Sequence, residues 1–154
     1  MKTYEIMNHN YVTINKNEKT INAASKMKEN NTSFLIVTEN DEPIGSLGYK
    51  EIVELVANGY SYDVPISKIM KKYTISINEN ENLDDACDMM GYLQIKELIV
   101  VDDNNKVKGI LSLYDLARNT LTEEYALNVL TENSYDYSTE DDFQKNIETK
   151  AFFI

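Results

Sequence analysis

Histidine and cysteine, two side chains that often act as catalytic groups or transition-metal ligands, are scarce in this sequence. The chain has one histidine, His9, and one cysteine, Cys87. His9 has no second histidine or cysteine near it, which makes a transition-metal site of the usual nitrogen and sulfur type improbable. A Ser-His-Asp triad would depend on His9, which we interpret as a surface loop residue before the first predicted strand. Cys87 follows Ala86 on a predicted helix, where core packing explains it better than nucleophilic chemistry, so we expect no enzyme.

A hydroxyl and a carboxylate lie three residues apart at Ser112 and Asp115, just before a predicted helix. This spacing fits a capping box, in which a serine at the N-cap and an acid at N3 satisfy free backbone N–H groups. Such a cap contributes about 1 kcal/mol and requires no ligand. Gly48 and Glu51 have the same spacing earlier in the chain, and glycine is also an acceptable N-cap. Helix capping therefore remains one complete explanation of both pairs.

Charge and composition argue against several classes of function. The net charge is -11, from 26 acidic and 15 basic residues, and the one arginine is Arg118. This balance opposes binding to a phosphate backbone. No apolar run reaches the ~18 residues of a membrane span, and the N-terminus has no apolar segment of signal-peptide type. A single cysteine cannot form an internal disulfide, which fits the reducing cytoplasm. Charge, hydropathy and cysteine content together lead us to expect a soluble cytoplasmic protein that binds neither nucleic acid nor membrane.

The chain contains two copies of one sequence pattern. Ile6-Met7 recurs 63 residues later as Ile69-Met70, and Ile14-Asn15 recurs as Ile77-Asn78. The spacing of Ile21, Ala24 and Met27 recurs in Leu83, Ala86 and Met89 at an offset of 62, and the apolar run 34–37 recurs as 98–101 at 64. Small insertions in loops account for the drift in offset, and such a period indicates a structural repeat.

Each copy has the same predicted order of elements, β-α-β-β-α. The predicted strands are 11–14, 34–37 and 43–47, then 74–77, 98–101 and 107–111, and the last helix of each copy is 49–57 or 113–121. This order predicts a mixed α/β (α+β) fold with repeats at 4–60 and 61–122. Neither small sheet could bury both faces alone, so we expect the repeats to pack together as a pseudo-twofold pair. Residues 123–154 form a helical and acidic extension in this prediction.

The stretch Val-Lys-Gly-Ile-Leu-Ser-Leu-Tyr-Asp-Leu, residues 107–116, follows the apolar strand and polar turn of the second copy. Together with the duplicated order, it resembles the cystathionine-β-synthase (CBS) domain family, whose tandem pairs are called Bateman modules. The resemblance covers about residues 4–122. It implies a regulatory module that binds an adenosine-containing ligand, such as AMP, ADP, ATP or S-adenosylmethionine, and passes its occupancy to a partner. It also implies a homodimer.

For the second repeat, the resemblance implies that Asp115 accepts hydrogen bonds from the ribose hydroxyls. Ser112 would contact a phosphate beside the N-terminus of the following helix, and Ile110 would flank the base. Four residues of the other repeat would line the adenine pocket: Val12, Thr13, Asn31 and Thr32. Gly45 and Gly109 mark a close backbone approach to a ligand, a strand bulge, or both. Arg118, one helical turn after Asp115, has two interpretations, a phosphate contact or a pair with Asp115.

The first repeat departs from this pattern, because Gly48 replaces the hydroxyl and Glu51 replaces the aspartate. Gly48 has no side-chain donor, and Glu51 reaches one methylene further. The resemblance places Ile75, Ser76, Ile95 and Lys96 opposite them. We therefore expect one competent ligand site, with the first-repeat site empty or altered.

Two hypotheses of different class follow. In the first, the protein is a stand-alone sensor without a cofactor, and ligand binding at Asp115 shifts its population of states and so signals to an unidentified effector protein. The scarcity of arginine favours AMP or an adenosyl sulfonium over a triphosphate. In the second, the duplicated frame is a ligand-free dimerisation or docking module. The tail, with apolar residues at 151–154, either packs on the domain or docks a partner.

Overall fold

The computed structural model describes residues 1–119, and Met1–Asp115 form one of its units, while a second unit begins at Leu116. The strands are β1 Thr13–Asn15, β2 Phe34–Glu39, β3 Glu42–Gly48, β4 Ser76–Asn78, β5 Glu97–Val101 and β6 Val107–Ser112. The helices are α1 Thr20–Asn30, α2 Tyr49–Ala57, α3 Leu83–Leu93 and α4 Leu113–Asn119, with short 3-10 helices at Thr3–Glu5 and Ile66–Lys68. The duplicated β-α-β-β-α order confirms the predicted mixed fold. The predicted extension, 123–154, lies outside the described residues.

Each repeat forms one three-stranded sheet with the same topology. β1 is parallel to β2 and β2 is antiparallel to β3, and β4, β5 and β6 repeat this arrangement. A parallel pair requires a crossover connection, which α1 and α3 supply, whereas a short hairpin is enough for the antiparallel pairs. The hairpin turns use Asn40, Asp41 and Asn105 at positive φ, a conformation that Asn and Asp tolerate better than other non-glycine residues.

The central strands β2 and β5 are buried on both faces, which explains their uninterrupted apolar runs. Leu35 and Val37 belong to the core cluster of the first repeat, together with Met27 of α1. Ile36 faces the opposite way and clusters with Ile99 and Val101 of the second repeat. The two sheets therefore share a core, and this agrees with the expectation that neither repeat buries its sheet alone.

The buried face of α1 differs by one residue from the sequence-based expectation. Ile21 is 42% exposed, whereas the buried positions are Thr20, Ala23 and Met27. Their equivalents in α3 are Leu83, Ala86 and Met90, so these helices correspond at an offset of 63. The alignment at 62 was wrong because Thr20 is polar yet fully buried, with its hydroxyl donating to the carbonyl of Val64 at 2.7 Å. Leu93, the last residue of α3, is also 42% exposed.

Residues 1–8, the N-terminal arm, precede the first repeat along the chain but hydrogen-bond to the second. The Thr3 and Tyr4 amides donate to carbonyls at Glu81 and Glu79, both at 3.0 Å. Asn8 then pairs with Ile110 of β6 in both directions, at 2.7 and 3.0 Å. Thr3 is fully buried, and its hydroxyl donates a second bond to the Glu81 carbonyl. This arm extends the second sheet beyond β6.

Residues 61–71, the linker arm, make the reciprocal exchange and bond to the first repeat. The Thr20 amide of the first repeat donates to the Val64 carbonyl of this arm at 2.9 Å. In return, the Ile66 amide of the arm donates to the Glu18 carbonyl at 2.8 Å. Lys71 pairs with Ser46 of β3 in both directions, at 2.9 and 3.0 Å, as Asn8 does with Ile110. The recurring Ile-Met pairs, at residues 6–7 and 69–70, therefore belong to the two arms.

Gly45 and Gly109 lie where the arms cross the sheets. A Cβ at Gly45 would lie 2.5 Å from the Lys71 carbonyl oxygen, and one at Gly109 would lie 2.8 Å from the Met7 sulfur. The register of each sheet also shifts beside these glycines, between Val37 and Thr38 and between Val100 and Val101. Each glycine therefore adjoins a bulge, as one of the two interpretations expected, and each also accepts a close approach by the protein's own arm. Close approach to a ligand stays a prediction.

Candidate functional site

The junction of β6 and α4 forms a complete capping box. The Ser112 amide and hydroxyl both donate to the Asp115 carboxylate oxygen Oδ2, at 2.9 and 2.6 Å. The Asp115 amide returns a hydrogen bond to the Ser112 hydroxyl at 3.1 Å. Both side chains are half-buried. The cap therefore exists, and it fixes a hydroxyl and a carboxylate side by side at one end of the second sheet.

The equivalent junction of the first repeat holds a different set of contacts. The Gly48 amide donates to Oε2 of Glu51 at 2.7 Å, so the longer acid still caps the helix. Oε1 of Glu51 lies 3.6 Å from Nζ of Lys71, which comes from the linker arm. Glu51 is one of the few buried polar residues among those described, with 8% exposure.

The end of the first sheet gathers several of the predicted pocket residues. The Val12 carbonyl accepts from the Ile36 amide at 3.0 Å, and Thr13 is in register with Ile36. The Thr32 hydroxyl bonds to the backbone of Phe34, which pairs with Gly48. Val12, Thr13 and Thr32 thus share a sheet end with Gly48.

Asn31 lies beside this sheet end, in a groove between α1 and α2. It ends α1 in the left-handed conformation, with φ 49°. The groove is open and measures about 440 Å³, and its lining residues are Ala24, Met27, Lys28, Asn31, Tyr49 and Ile52. Asn31 therefore contributes to a surface between two helices of its own repeat.

The end of the second sheet gathers the residues that the resemblance places opposite Gly48. The Ile75 carbonyl accepts from the Ile99 amide at 3.3 Å, and Ser76 is in register with Ile99. The Lys96 carbonyl accepts from the Leu113 amide at 3.0 Å, next to Ser112. The Ile95 amide closes the end of α3 by donating to Met90.

Hydrogen bonding within each sheet therefore groups the predicted residues by repeat. Ile75, Ser76 and Lys96 share a sheet end with Ser112, whereas the resemblance groups them with Gly48 across the two repeats. The cross-repeat adenine pocket stays a prediction. Ile110 uses both its backbone N–H and its carbonyl on Asn8, and its side chain is half-buried, while the contact of that side chain with a base stays a prediction. Arg118 lies in the last turn of α4, and its phosphate contact also stays a prediction.

Sequence reasoning missed Lys71 and Glu97. Lys71 follows the repeated Ile-Met pair directly, so the offset of 63 aligns it with Asn8 and was a usable signal. Glu97 begins β5 in register with Ser112, which puts both side chains on one face of the sheet. The Glu97 side chain is exposed, but partial desolvation beside the sheet raises the pKa of its carboxyl, and the positive charges of Lys96 and Lys71 oppose this effect. No sequence pattern indicates this partial desolvation.

Replacing Glu97 with glutamine is expected to increase the free energy of unfolding at pH 7. An acid whose pKa is raised by folding binds more protons in the folded state, so stability falls as pH rises from the ordinary value near 4.5 through the folded value. Glutamine removes this loss, and its advantage over the wild type should shrink below that window. Urea unfolding at pH 4 and pH 7 measures both effects. The exposed Glu29 of α1 is the matched control, and an equal gain in Glu29→Gln would contradict the prediction.

Within residues 1–119, no helix has the length and apolar character to cross a membrane. The same part of the chain has no group of three or more His, Cys, Asp and Glu side chains placed to hold a metal ion.

The model of the CBS domain matches the chain twice, at residues 4–58 and 66–121. The CBS domain-containing protein YhcV of Bacillus subtilis is 35% identical over 132 residues, which cover 85% of this chain and 94% of YhcV. An uncharacterized protein of Methanopyrus kandleri, MK0525, is 30% identical over 88% of this chain and 69% of its own length.

Solved structures with the same fold include two that contain adenosine compounds. The CBS domain protein PAE2072 from Pyrobaculum aerophilum, complexed with AMP, has a TM-score of 0.70 and 21% identity, covering 86% of this chain and 99% of that one. The CBS domain pair of protein MJ0100, in complex with 5'-methylthioadenosine and S-adenosyl-L-methionine, has a TM-score of 0.69 and 23% identity, covering 79% and 100%. At these identities the likeness shows the fold.

Proposed function

The chain belongs to the CBS domain family, with two copies of the domain in tandem, and from this premise we propose that it is a regulatory module that binds an adenosine-containing ligand. The ligand is of the AMP, ATP or S-adenosylmethionine class and binds beside Asp115. The module has no catalytic role of its own and acts in the cytoplasm through a separate effector protein. Binding favours one arrangement of the repeats and so shifts the population of states that the effector meets.

The observation that carries this proposal is the fixed pair of Ser112 and Asp115. A carboxylate is a strong acceptor for the two hydroxyls of a ribose, and hydrogen bonds to a charged group are stronger than neutral ones. The cap bonds hold both side chains in place before a ligand arrives, which lowers the entropy that binding must overcome. Adenosine is the part common to the compounds bound by PAE2072 and MJ0100, and this supports the ligand class.

A second candidate function is a dimerisation or docking module. The observation that favours it is an exposed apolar face on α2, where Tyr49, Val53 and Val56 are 54%, 63% and 67% exposed. These residues are spaced by four and three, so they lie on one side of the helix. Tyr60 and Tyr62 are also exposed just beyond it. A second copy of the chain or an effector would cover this face, and ligand binding is compatible with that role.

A thermal-shift screen of the full chain against AMP, ADP, ATP, S-adenosylmethionine and 5'-methylthioadenosine tests the first proposal. A ligand at 100 times its Kd adds about 2.7 kcal/mol to stability. For a chain of this size, that corresponds to a rise in Tm of about 5–10 °C. We expect a saturable rise with at least one compound that contains adenosine and no rise with ribose 5-phosphate. No shift with any of them at millimolar concentration would favour the docking module.

A further inference from the structure

The two arms place different side chains at equivalent positions of the two repeats. Lys71 and Asn8 each form a two-way backbone pair with the strand that leads into the capping helix, β3 or β6. The Lys71 side chain returns to the sheet end and pairs with Glu51. The Asn8 side chain accepts a hydrogen bond from the Asn10 amide at 2.8 Å, within its own arm. The first repeat thus has a lysine, Lys71, paired with its acid, Glu51. The second repeat has a neutral asparagine, Asn8, at the position equivalent to Lys71.

Both carboxylate oxygens of Glu51 have a partner within the protein. The Gly48 amide donates to Oε2 at 2.7 Å, and Lys71 lies 3.6 Å from Oε1. The Glu51 side chain is 9% exposed, whereas that of Lys71 is 65% exposed. A ligand ribose would have to displace Lys71 from an acid that is already desolvated, and removing one partner of a buried charge is costly. Gly48 offers no hydroxyl in compensation.

We infer that Lys71 is an internal counter-ion that closes the first-repeat site to adenosine ligands. Each chain then binds one ligand, at the second repeat, and Lys71 determines this asymmetry by holding Glu51. This inference rests on the proposed function for the identity of the excluded ligand, whereas the contact between Lys71 and Glu51 is independent of it. The arm that carries Lys71 is the segment that joins the two repeats, so the closed site also belongs to the connection between them.

Equilibrium dialysis with labelled AMP, and in parallel with labelled S-adenosylmethionine, tests the inference on the full chain. The wild type should bind one equivalent. The background variant Asp115→Ala removes the second-repeat site, so that binding reports on the first repeat alone. In this background, Gly48→Ser with Glu51→Asp gives the first repeat the serine and aspartate of the second, and we expect this change alone not to produce binding. Adding Lys71→Asn should increase the affinity of this site about two- to fivefold, which is the size of the ion-pair coupling that the change removes. The serine fits, because a Cβ at Gly48 would meet only the Glu51 carboxylate at 3.3 Å and a carbonyl at 3.6 Å.

Equal affinity with and without Lys71→Asn would overturn the inference, as would two equivalents bound by the wild type. A wild type that binds neither probe contradicts the proposed function instead, and the inference is then decided by the ligand-free measurement that follows. A second measurement requires no ligand. In a double-mutant cycle of Lys71→Met and Glu51→Gln, we expect a coupling of about two- to fivefold in the unfolding equilibrium constant, and no coupling would also overturn it.

Discussion

Replacing Asp115 with alanine is expected to lower the affinity for the adenosine ligand by about 100-fold or more. The carboxylate would accept both ribose hydroxyls, and each hydrogen bond to a charged group contributes about 1.5–3 kcal/mol. The same substitution removes the acceptor of two cap bonds from Ser112 and should reduce the free energy of unfolding by about 1 kcal/mol. Isothermal titration with the compound found in the thermal-shift screen, together with urea unfolding, separates the two losses.

The matched control is Asp85→Ala in the first turn of α3. Asp85 is an exposed acid at the same helix position, N3, so its removal changes local helix electrostatics without touching the junction of β6 and α4. We expect its ligand affinity to stay within twofold of the wild type. If Asp115→Ala bound the ligand as Asp85→Ala does, Ser112 and Asp115 would be a helix cap alone.

Replacing Gly45 with alanine is expected to destabilise the fold by about 2–3 kcal/mol. The new Cβ would lie 2.5 Å from the Lys71 carbonyl oxygen and 2.9 Å from the Met70 sulfur. The Lys71 oxygen accepts a hydrogen bond from the Ser46 amide, and the Lys71 amide donates one to the Ser46 carbonyl. Because this two-way pair holds the Lys71 backbone in place, the oxygen cannot move aside cheaply, and forced contacts of this kind usually cost about 1–3 kcal/mol. Gly109→Ala should cost less, because its nearest neighbour is the flexible end of Met7. The midpoint of urea unfolding measures both.

Gly91→Ala in α3 is the control for the glycine series. A Cβ there has nothing within 4 Å, and alanine favours a helix interior over glycine by about 0.8–1.0 kcal/mol. The midpoint should therefore rise. A fall in Gly91→Ala comparable to that in Gly45→Ala would show that the arms are not the cause of the loss.

The repeat itself could be predicted because its signals are local. Apolar runs, polar turns and the Ser112–Asp115 spacing each lie within ten residues, and strands β2 and β5 appear where the runs predicted them. The face of α1 was displaced by one residue, because burial of the Thr20 hydroxyl depends on a carbonyl 44 residues away. A search for apolar periodicity does not detect a polar residue such as Thr20, whose hydroxyl is buried together with its hydrogen-bond acceptor.

The contacts of the arms could not be predicted, since they join segments far apart in sequence. Thr3 bonds to Glu81 and Asn8 to Ile110, and no local pattern specifies either pair. Lys71 was within reach of the alignment, but its pairing with Glu51 depends on how the linker arm crosses β3. The sequence therefore shows that Gly48 and Glu51 depart from the pattern of the second repeat, whereas the contact between Glu51 and Lys71 is visible only in three dimensions.

The exchange of arms has a consequence for how the protein could be divided. Cleavage of the chain between residues 60 and 61 would separate each repeat from the arm that extends its sheet and leave a row of unpaired backbone groups on both fragments. The continuous stretch 9–71, by contrast, keeps its arm, while its complement is 72–119 joined to 1–8. The unit that folds together is thus circularly permuted relative to the repeat seen in the sequence. A gene duplication of the sequence repeat would therefore have had to exchange the arms between the two copies to complete each sheet.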